Sequence, residues 1–278
     1  MNTSNRRTFL KSAGAGAAAA AFGAGASVSA APVHKMMRLT LGMASYTLRK
    51  IDLDNTLAMT KGLGLEKIAF KDFHLAMDST EAQIKAVAQK TRDAGLDLYG
   101  CGVVYMKDES EVSRAFDYAK AADMKVIIGV PEHKLLGIVN DKVQEYDLKL
   151  AIHNHGPGDK RYPSAQSAYE LISGMDPRMG LCIDIGHTQR IGIDPSVPAE
   201  KFFTRVHDIH IKDVTASNPE GSTLEVGRGV IDIPKFLKTL IRLNYQGVVA
   251  LEYEKDGDNP LPGTAESIGY LRGVLSAI

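Results

Sequence analysis

The sequence predicts an α/β protein folded as a (β/α)8 TIM barrel, and three observations support this prediction. Short apolar runs alternate with amphipathic stretches of helical period, and this pair repeats eight times along the chain. The roughly 250 residues after the N-terminal segment suffice for one large domain with a well-buried core. Polar side chains gather where the apolar runs end, which is where functional residues lie in such barrels.

The predicted strands and helices alternate strictly, which favours a parallel sheet. Each strand is a run of mostly aliphatic residues that is too short for a helix, and each helix has an apolar face repeating every three to four residues. The predicted strands are residues 39–45, 67–70, 96–104, 125–130, 148–154, 179–185, 206–214 and 247–254. The predicted helices are residues 53–63, 80–94, 109–122, 133–146, 164–174, 198–204, 234–243 and 264–277.

A doubly wound open sheet is the alternative architecture. It would normally have fewer strands, and the sequence lacks the glycine-rich phosphate turn expected after its first strand. No linker or second domain is evident, so residues 31–278 are predicted to form a single domain. The loop over residues 215–229 is long enough to shape an active site.

The chain opens with a segment whose pattern is typical of an export signal. Arg6 and Arg7 precede a weakly apolar tract of alanine and glycine that ends in the small residues VSA at 28–30. Residues 1–30 resemble a twin-arginine signal peptide. An alanine-rich helix and a membrane anchor are the alternatives, but the tract is short and glycine-rich, and no cysteine near its end could carry a lipid. The resemblance implies a periplasmic or otherwise exported protein that uses the twin-arginine export machinery and has no stable membrane anchor.

Charge and cysteine content narrow the class of partner. The whole chain has 33 basic and 33 acidic residues. Residues 1–30 contain three basic side chains and no acidic one, so the mature chain is slightly acidic. This balance does not suggest a nucleic-acid partner, whose binding draws on clustered lysine and arginine. Cys101 and Cys182, the two cysteines of the chain, lie in apolar runs and are predicted to be packed thiols.

Histidine and carboxylate side chains stand at the ends of four consecutive predicted strands. Such groups are costly to bury unless they are paired or bind a metal. Because the strand ends of a barrel meet at one rim, we expect the four to surround a divalent ion. Two imidazoles and two carboxylates suit Mn²⁺, Zn²⁺, Co²⁺ or Fe²⁺ better than Ca²⁺ or Cu⁺, and Mn²⁺ is the expected ion. The predicted ligands are His153, Asp184, His210 and Glu252. In the alternative interpretation His153 contacts substrate, and His155 or another group completes the shell.

Five short motifs at these positions resemble the xylose-isomerase-like TIM-barrel superfamily. They are IHNH at 152–155, CIDIGH at 182–187, HIKD at 210–213, VGRG at 226–229 and ALEYE at 250–254. The superfamily contains sugar and sugar-phosphate isomerases and epimerases, inosose dehydratases and endonucleases of the endonuclease IV type. Its usual ligands are Glu, Asp, His and Glu on strands 5 to 8. The resemblance therefore implies Asp184, His210 and Glu252 as ligands, with His153 standing where a glutamate is expected.

The resemblance also implies a chemistry. Epimerases of this superfamily are thought to use the glutamates of strands 5 and 8 as paired acid/base groups, and His153 removes one of that pair. Without that glutamate, the chemistry still available is proton transfer beside a metal-polarised ketone. The metal acidifies the adjacent C–H, and a histidine or lysine moves the proton. This chemistry fits β-elimination as well as isomerisation. Export and the absence of a phosphate-binding motif favour a non-phosphorylated keto-sugar or 3-keto-glycoside as substrate.

Further residues near the strand ends are candidates for proton transfer and substrate binding. His155 and His187 each neighbour a predicted ligand and are acid/base candidates, or else they orient a ligand. Lys212 shares a strand face with His210 and could bind a substrate oxygen, act as a base, or pair with Asp213 or Glu252. Tyr46 and Tyr105 follow strands 1 and 3, where an aromatic face could carry a sugar ring. The remaining candidate substrate contacts are Lys71, His74, Glu132 and Arg228.

Three functional hypotheses follow from these residues. The first is an exported metal-dependent sugar isomerase, epimerase or keto-glycoside lyase. The second is a non-catalytic sugar-binding protein that uses the metal only to hold diols, which the histidine at position 153 would permit. The third is a DNA-repair enzyme of the endonuclease IV type, which needs more metal ligands and a basic face.

Overall fold

The computed structural model describes residues 39–278, in which eight parallel strands close into a barrel. Helices follow the strands around the barrel, so the predicted (β/α)8 fold is confirmed. The predicted signal peptide, residues 1–30, lies outside the described residues. The barrel strands are β1 (Thr40–Ala44), β2 (Lys67–Phe70), β3 (Asp97–Met106), β4 (Val126–Pro131), β5 (Lys149–His153), β6 (Met179–Asp184), β7 (Val206–Ile211) and β10 (Val248–Leu251). Two-residue strands β8 (Asp213–Val214) and β9 (Thr223–Leu224) pair in the loop after β7.

The α-helices surround the barrel, and side-chain caps start most of them. The Thr80 hydroxyl and the Gln83 side chain form a reciprocal capping box at the first turn of α2. Aspartate carboxylates cap α1, α3, α6 and α8 by accepting backbone N–H groups that would otherwise lack partners. The helices of the described chain are α1 (Leu53–Gly62), α2 (Glu81–Asp93), α3 (Glu109–Ala121), α4 (Leu136–Tyr146), α5 (Ala165–Ile172), α6 (Ile185–Arg190), α7 (Ser196–Lys201), α8 (Ile233–Arg242) and α9 (Leu261–Ala277).

The structure differs from the predicted elements mainly around strands β6 and β7. Helix α6 was not predicted, and it starts directly after β6 because the Asp184 carboxylate accepts a hydrogen bond from the His187 backbone N–H at 2.8 Å. The predicted strand 206–214 is interrupted at Lys212, since Asp213 pairs in the small β8–β9 hairpin and not in the barrel. Both differences lie at the carboxyl-terminal end of the barrel, just after the strands end.

The core fills the barrel and the layer between strands and helices. Beneath the rim, the Tyr99 hydroxyl donates a 3.0 Å hydrogen bond to the fully buried Asp208 carboxylate. Cys101 and Cys182 are buried free thiols, as predicted. Between residues 39 and 278, no helix combines the length and the apolar character needed to cross a membrane.

Candidate metal centre

Four side chains from four chain segments converge at the carboxyl-terminal rim of the barrel. His153 ends β5, Asp184 ends β6, His210 lies near the end of β7, and Glu252 follows β10. The backbone N–H of Glu252 donates to the Ile211 carbonyl at 3.0 Å, which extends the strand pairing and holds Glu252 beside β7. One donor atom of each of the four lies within 4.8 Å of the other three, and all four residues are buried. The structure thus brings together the four predicted metal ligands.

The distances between these donor atoms fit one small divalent ion. His153 Nε2 lies 3.1 Å from His210 Nδ1 and 3.4 Å from Asp184 Oδ2. Glu252 Oε2 lies 3.1 Å from His210 Nδ1 and 4.0 Å from His153 Nε2. Bonds of about 2.1 Å to one ion put neighbouring ligand atoms roughly 3.0–3.5 Å apart and opposite ones about 4.2 Å apart. Asp184 Oδ2 is also buried, and its contact with Lys212 Nζ at 2.9 Å is an ion pair that lacks hydrogen-bond geometry. Donor types and geometry therefore both fit a metal.

Lys212 places an ammonium group beside the same carboxylates. Its Nζ lies 2.8 Å from Glu252 Oε2 and 2.9 Å from Asp184 Oδ2, and it also pairs with Glu254. The side chain is 2% exposed, and it runs over Gly186, where a Cβ would collide with it. Imidazoles that bind a metal do so in the neutral form, so in the loaded site three carboxylates and one ammonium would leave two negative charges for a divalent ion to balance.

This environment bears on two of the roles considered for Lys212, the base and the ion-pair partner. Burial lowers the pKa of Lys212, but the nearby carboxylates of Asp184, Glu252 and Glu254 outweigh that effect and hold the pKa well above its ordinary value. The geometry thus favours a fixed ammonium paired with Glu252 over the catalytic base considered from the sequence. Asp213 takes no part in this pair, because its carboxylate accepts hydrogen bonds from the Gly227 and Gly229 backbones of the VGRG loop.

His155 and His187 flank the cluster. Their ring centroids lie 4.6 and 5.9 Å from that of His153 and 5.8 Å from each other. Burial lowers the pKa of both imidazoles and so favours their neutral forms. The Nε2 atom of His155 lies 3.0 Å from the Tyr105 hydroxyl, and the two rings are stacked. Two neutral imidazoles that can accept a proton therefore adjoin the predicted ligands.

Sequence reasoning assigned no role to Asn154, which lies between the two histidines of IHNH. The Asp184 backbone N–H donates to its Oδ1 at 3.1 Å, and its Nδ2 lies 3.3 Å from the Asp184 carbonyl and from the Thr188 hydroxyl. Asn154 thus fixes the backbone of one ligand from the neighbouring strand. Alternation along β5 could have indicated this role, because it directs residue 154 away from the side of its two neighbours.

The four predicted substrate contacts do not join the cluster. His74 is buried, with its ring nitrogens 2.9 Å from the hydroxyls of Ser45 and Thr56, so it links the turn after β1, helix α1 and the segment after β2. These bonds leave neither nitrogen free for a sugar. The other three are engaged at the surface: Lys71 pairs with Asp72, Glu132 with Arg161 and Arg228 with Glu266.

Comparison with known proteins identifies the family. The family described as xylose isomerase-like TIM barrel matches residues 133–274, about half of the chain, and the chain belongs to this family. A twin-arginine translocation signal sequence matches residues 3–23, which confirms the export signal predicted from the sequence.

Curated relatives match over a similar region. The rhizopine catabolism protein MocC of Rhizobium meliloti is 26% identical over 145 residues, which cover 47% of this chain and 44% of that protein. The inosose dehydratase of Bacillus velezensis is 29% identical over 143 residues, covering 45% of each. The matched region thus spans about half the length of these relatives.

Solved structures share the fold over most of the chain. The IOLI protein, whose structure holds a zinc atom, has a TM-score of 0.71 at 15% identity and covers 86% of this chain and 99% of its own. The 3-keto-D-glucoside 4-epimerase YcjR from E. coli has a TM-score of 0.69 at 14% identity, covering 85% and 100%. At these identities the likeness establishes the shared barrel.

Proposed function

We propose that the protein is an exported, metal-dependent enzyme that moves a proton beside the ketone of a non-phosphorylated keto-sugar or 3-keto-glycoside. His153, Asp184, His210 and Glu252 would hold the ion. Mn²⁺ is the proposed ion, and Zn²⁺, Co²⁺ and Fe²⁺ suit the same donors. A bound divalent ion would polarise the ketone oxygen and so acidify the adjacent C–H. The observation that carries the proposal is the pair of imidazoles, His155 and His187, that adjoin His153 and lie 5.8 Å from each other.

The two imidazoles account for the movement of the proton. One of them takes the proton from the carbon beside the ketone, and the electron pair of that C–H bond moves towards the carbonyl group. In β-elimination the electrons then form a C=C bond, the C–O bond to the leaving group breaks, and the leaving oxygen receives the proton. In epimerisation the same carbon receives a proton on its opposite face. In isomerisation the former carbonyl carbon receives the proton, and the proton of the neighbouring hydroxyl passes to the former carbonyl oxygen. Both imidazoles end neutral, and no oxidant or reductant is needed.

Three further observations support the substrate class. An exported enzyme meets free sugars and glycosides, whereas sugar phosphates are mostly cytoplasmic metabolites. The sequence carries no phosphate-binding motif of the GxxxxGK[ST] type. Inosose dehydratases appear among the relatives, and a 3-keto-glucoside epimerase shares the fold. On this proposal the twin-arginine machinery delivers the folded protein to the periplasm, and its partner there is a small carbohydrate.

Proton exchange in D₂O tests the proposal directly. The mature protein, loaded with Mn²⁺ or Zn²⁺, is incubated with methyl 3-keto-glucosides, quenched with chelator and analysed by NMR. We expect deuterium beside the carbonyl, and release of methanol if the reaction is an elimination. His155→Asn and His187→Asn should each lose about 10²-fold or more in rate. His207→Asn is the matched control, because His207 lies at the other end of β7 and should leave the rate unchanged.

Two results would contradict the proposal. Neither exchange nor cleavage with a metal-loaded sample would remove the enzymatic function and favour the sugar-binding protein. Full activity of both histidine variants would remove their assigned roles.

A further inference from the structure

A recess opens beside the candidate metal centre, between the end of β3 and the segment after β2. Its volume is about 230 Å³. Phe70, Met77, Val103 and Val104 form its apolar part, and Tyr105 is one of its walls. The four predicted metal ligands do not line the recess, so it is a distinct space at the same rim.

Tyr105 connects the recess with the metal centre. The side chain is 42% exposed, and its hydroxyl lies 3.0 Å from His155 Nε2. The His155 ring lies in turn 4.6 Å from that of His153. A ligand that contacts the predicted metal ligands and extends past His155 therefore reaches Tyr105 and the recess behind it.

Charged side chains surround the opening of the recess. Lys71 and Asp72 form an ion pair at 2.6 Å, and the Glu111 carboxylate accepts a hydrogen bond from the Lys107 backbone. The Arg114 guanidinium also lines the recess, and it makes no ion pair or hydrogen bond with any residue in 39–278. The recess thus combines an apolar wall with hydrogen-bond donors and acceptors. Among these groups, the Arg114 guanidinium has no partner within residues 39–278.

We propose that this recess is a second sugar subsite, which binds the ring attached to the keto-sugar, so that the natural substrate is a disaccharide-type glycoside. The inference rests on the proposed function for the identity of the first ring. A volume of about 230 Å³ is sufficient for one pyranose ring. A pyranose has an apolar C–H face for Tyr105 and Met77, and its hydroxyls can pair with the charged rim. An aryl group of the same size would cover those charges without pairing them, which costs free energy.

Binding of unoxidised sugars tests the subsite without requiring turnover. The probes are the disaccharides maltose, cellobiose and trehalose, together with the matching methyl glucosides. Each is titrated calorimetrically into Zn²⁺-loaded protein. We expect at least one disaccharide to bind about tenfold or more tightly than its methyl glucoside. Arg114→Ala, which removes a donor, and Met77→Trp, which fills the recess, should both abolish this difference and leave methyl glucoside binding within about twofold. Arg92→Ala is the matched control, because Arg92 is an exposed arginine on neighbouring α2 whose side chain, within residues 39–278, hydrogen-bonds to Gln89 alone.

The outcomes distinguish a failure of the proposed subsite from a failure of the proposed reaction. Equal affinities for disaccharides and methyl glucosides, no binding of either, or a preference that survives Arg114→Ala would overturn the subsite. Turnover of a keto methyl glucoside without any disaccharide preference refutes the subsite alone. A disaccharide preference without turnover of any keto-sugar refutes the proposed reaction alone. Thermal midpoints of all variants check folding, and Arg114→Ala on the exposed face of α3 keeps the test decisive if Met77→Trp does not fold.

Discussion

Replacing Lys212 with methionine should destabilise the metal-free protein strongly. Methionine keeps most of the side-chain volume but removes the ammonium that lies within 3 Å of Asp184 and Glu252 and pairs with Glu254. Removing one partner from a buried ion pair costs about 3–5 kcal/mol, because the remaining charges stay buried without compensation. In a domain of this size each kcal/mol lowers the melting temperature by about 2–4 °C, so we expect a fall of about 6–20 °C.

The assay is thermal unfolding followed by circular dichroism, in EDTA and again with Mn²⁺ or Zn²⁺. The ion should raise the midpoint of Lys212→Met by more than that of the wild type, since it replaces the missing positive charge. Lys235→Met is the control: its pair with Asp194 is half exposed, and the loss should stay within about 1 kcal/mol. A midpoint for Lys212→Met in EDTA equal to that of the wild type would refute the view that Lys212 balances the buried carboxylates.

Three further predictions concern the ligands, the pH dependence and the thiols. His153→Ala should lower the metal content after dialysis from about one ion per chain to well below half, measured by plasma mass spectrometry, whereas His207→Ala should keep the full content. Burial lowers the pKa of His207 to about 4, below its unfolded value of about 6.5. The unfolded chain therefore binds more protons, and unfolding free energy that is complete above about pH 6.5 is lost as the pH falls towards 4. At pH 5 the loss from this partly buried ring should be about 1 kcal/mol, and urea titrations of His207→Gln should not show it. Burial raises the pKa of Cys101 and Cys182 to about 12, so a thiol reagent at pH 8 should label neither in the folded protein and both in denaturant.

The sequence predicted the barrel and the convergence of the four candidate metal ligands, because both follow from periodicity. A strand alternates its side chains, and parallel strands end at a common rim, so His153, Asp184 and His210 had to approach one another once the strands were located correctly. Contacts made beyond the strand ends were not predictable in this way. Lys212 lies where the chain leaves β7, and its pairing with Glu254 depends on the path of two loops.

His74 illustrates the same limit of sequence-based prediction, here for a predicted substrate contact. Its position after β2 indicated a substrate contact, yet the ring turns inward to the Ser45 and Thr56 hydroxyls. Sequence spacing does not specify which way a side chain turns once the regular strand geometry ends. Partners in the loops and neighbouring helices then decide its direction.

The two oxygens of the Asp184 carboxylate contact different parts of the molecule, which couples the position of α6 to that of the candidate metal centre. Oδ1 holds the first turn of α6 through the His187 N–H, and Oδ2 faces the ligand cluster. Because one carboxylate makes both contacts, a movement of α6 that keeps its N-terminal hydrogen bond would also displace a predicted metal ligand. On the proposed function, a metal ion bound by Asp184 would therefore also help to fix the position of His187.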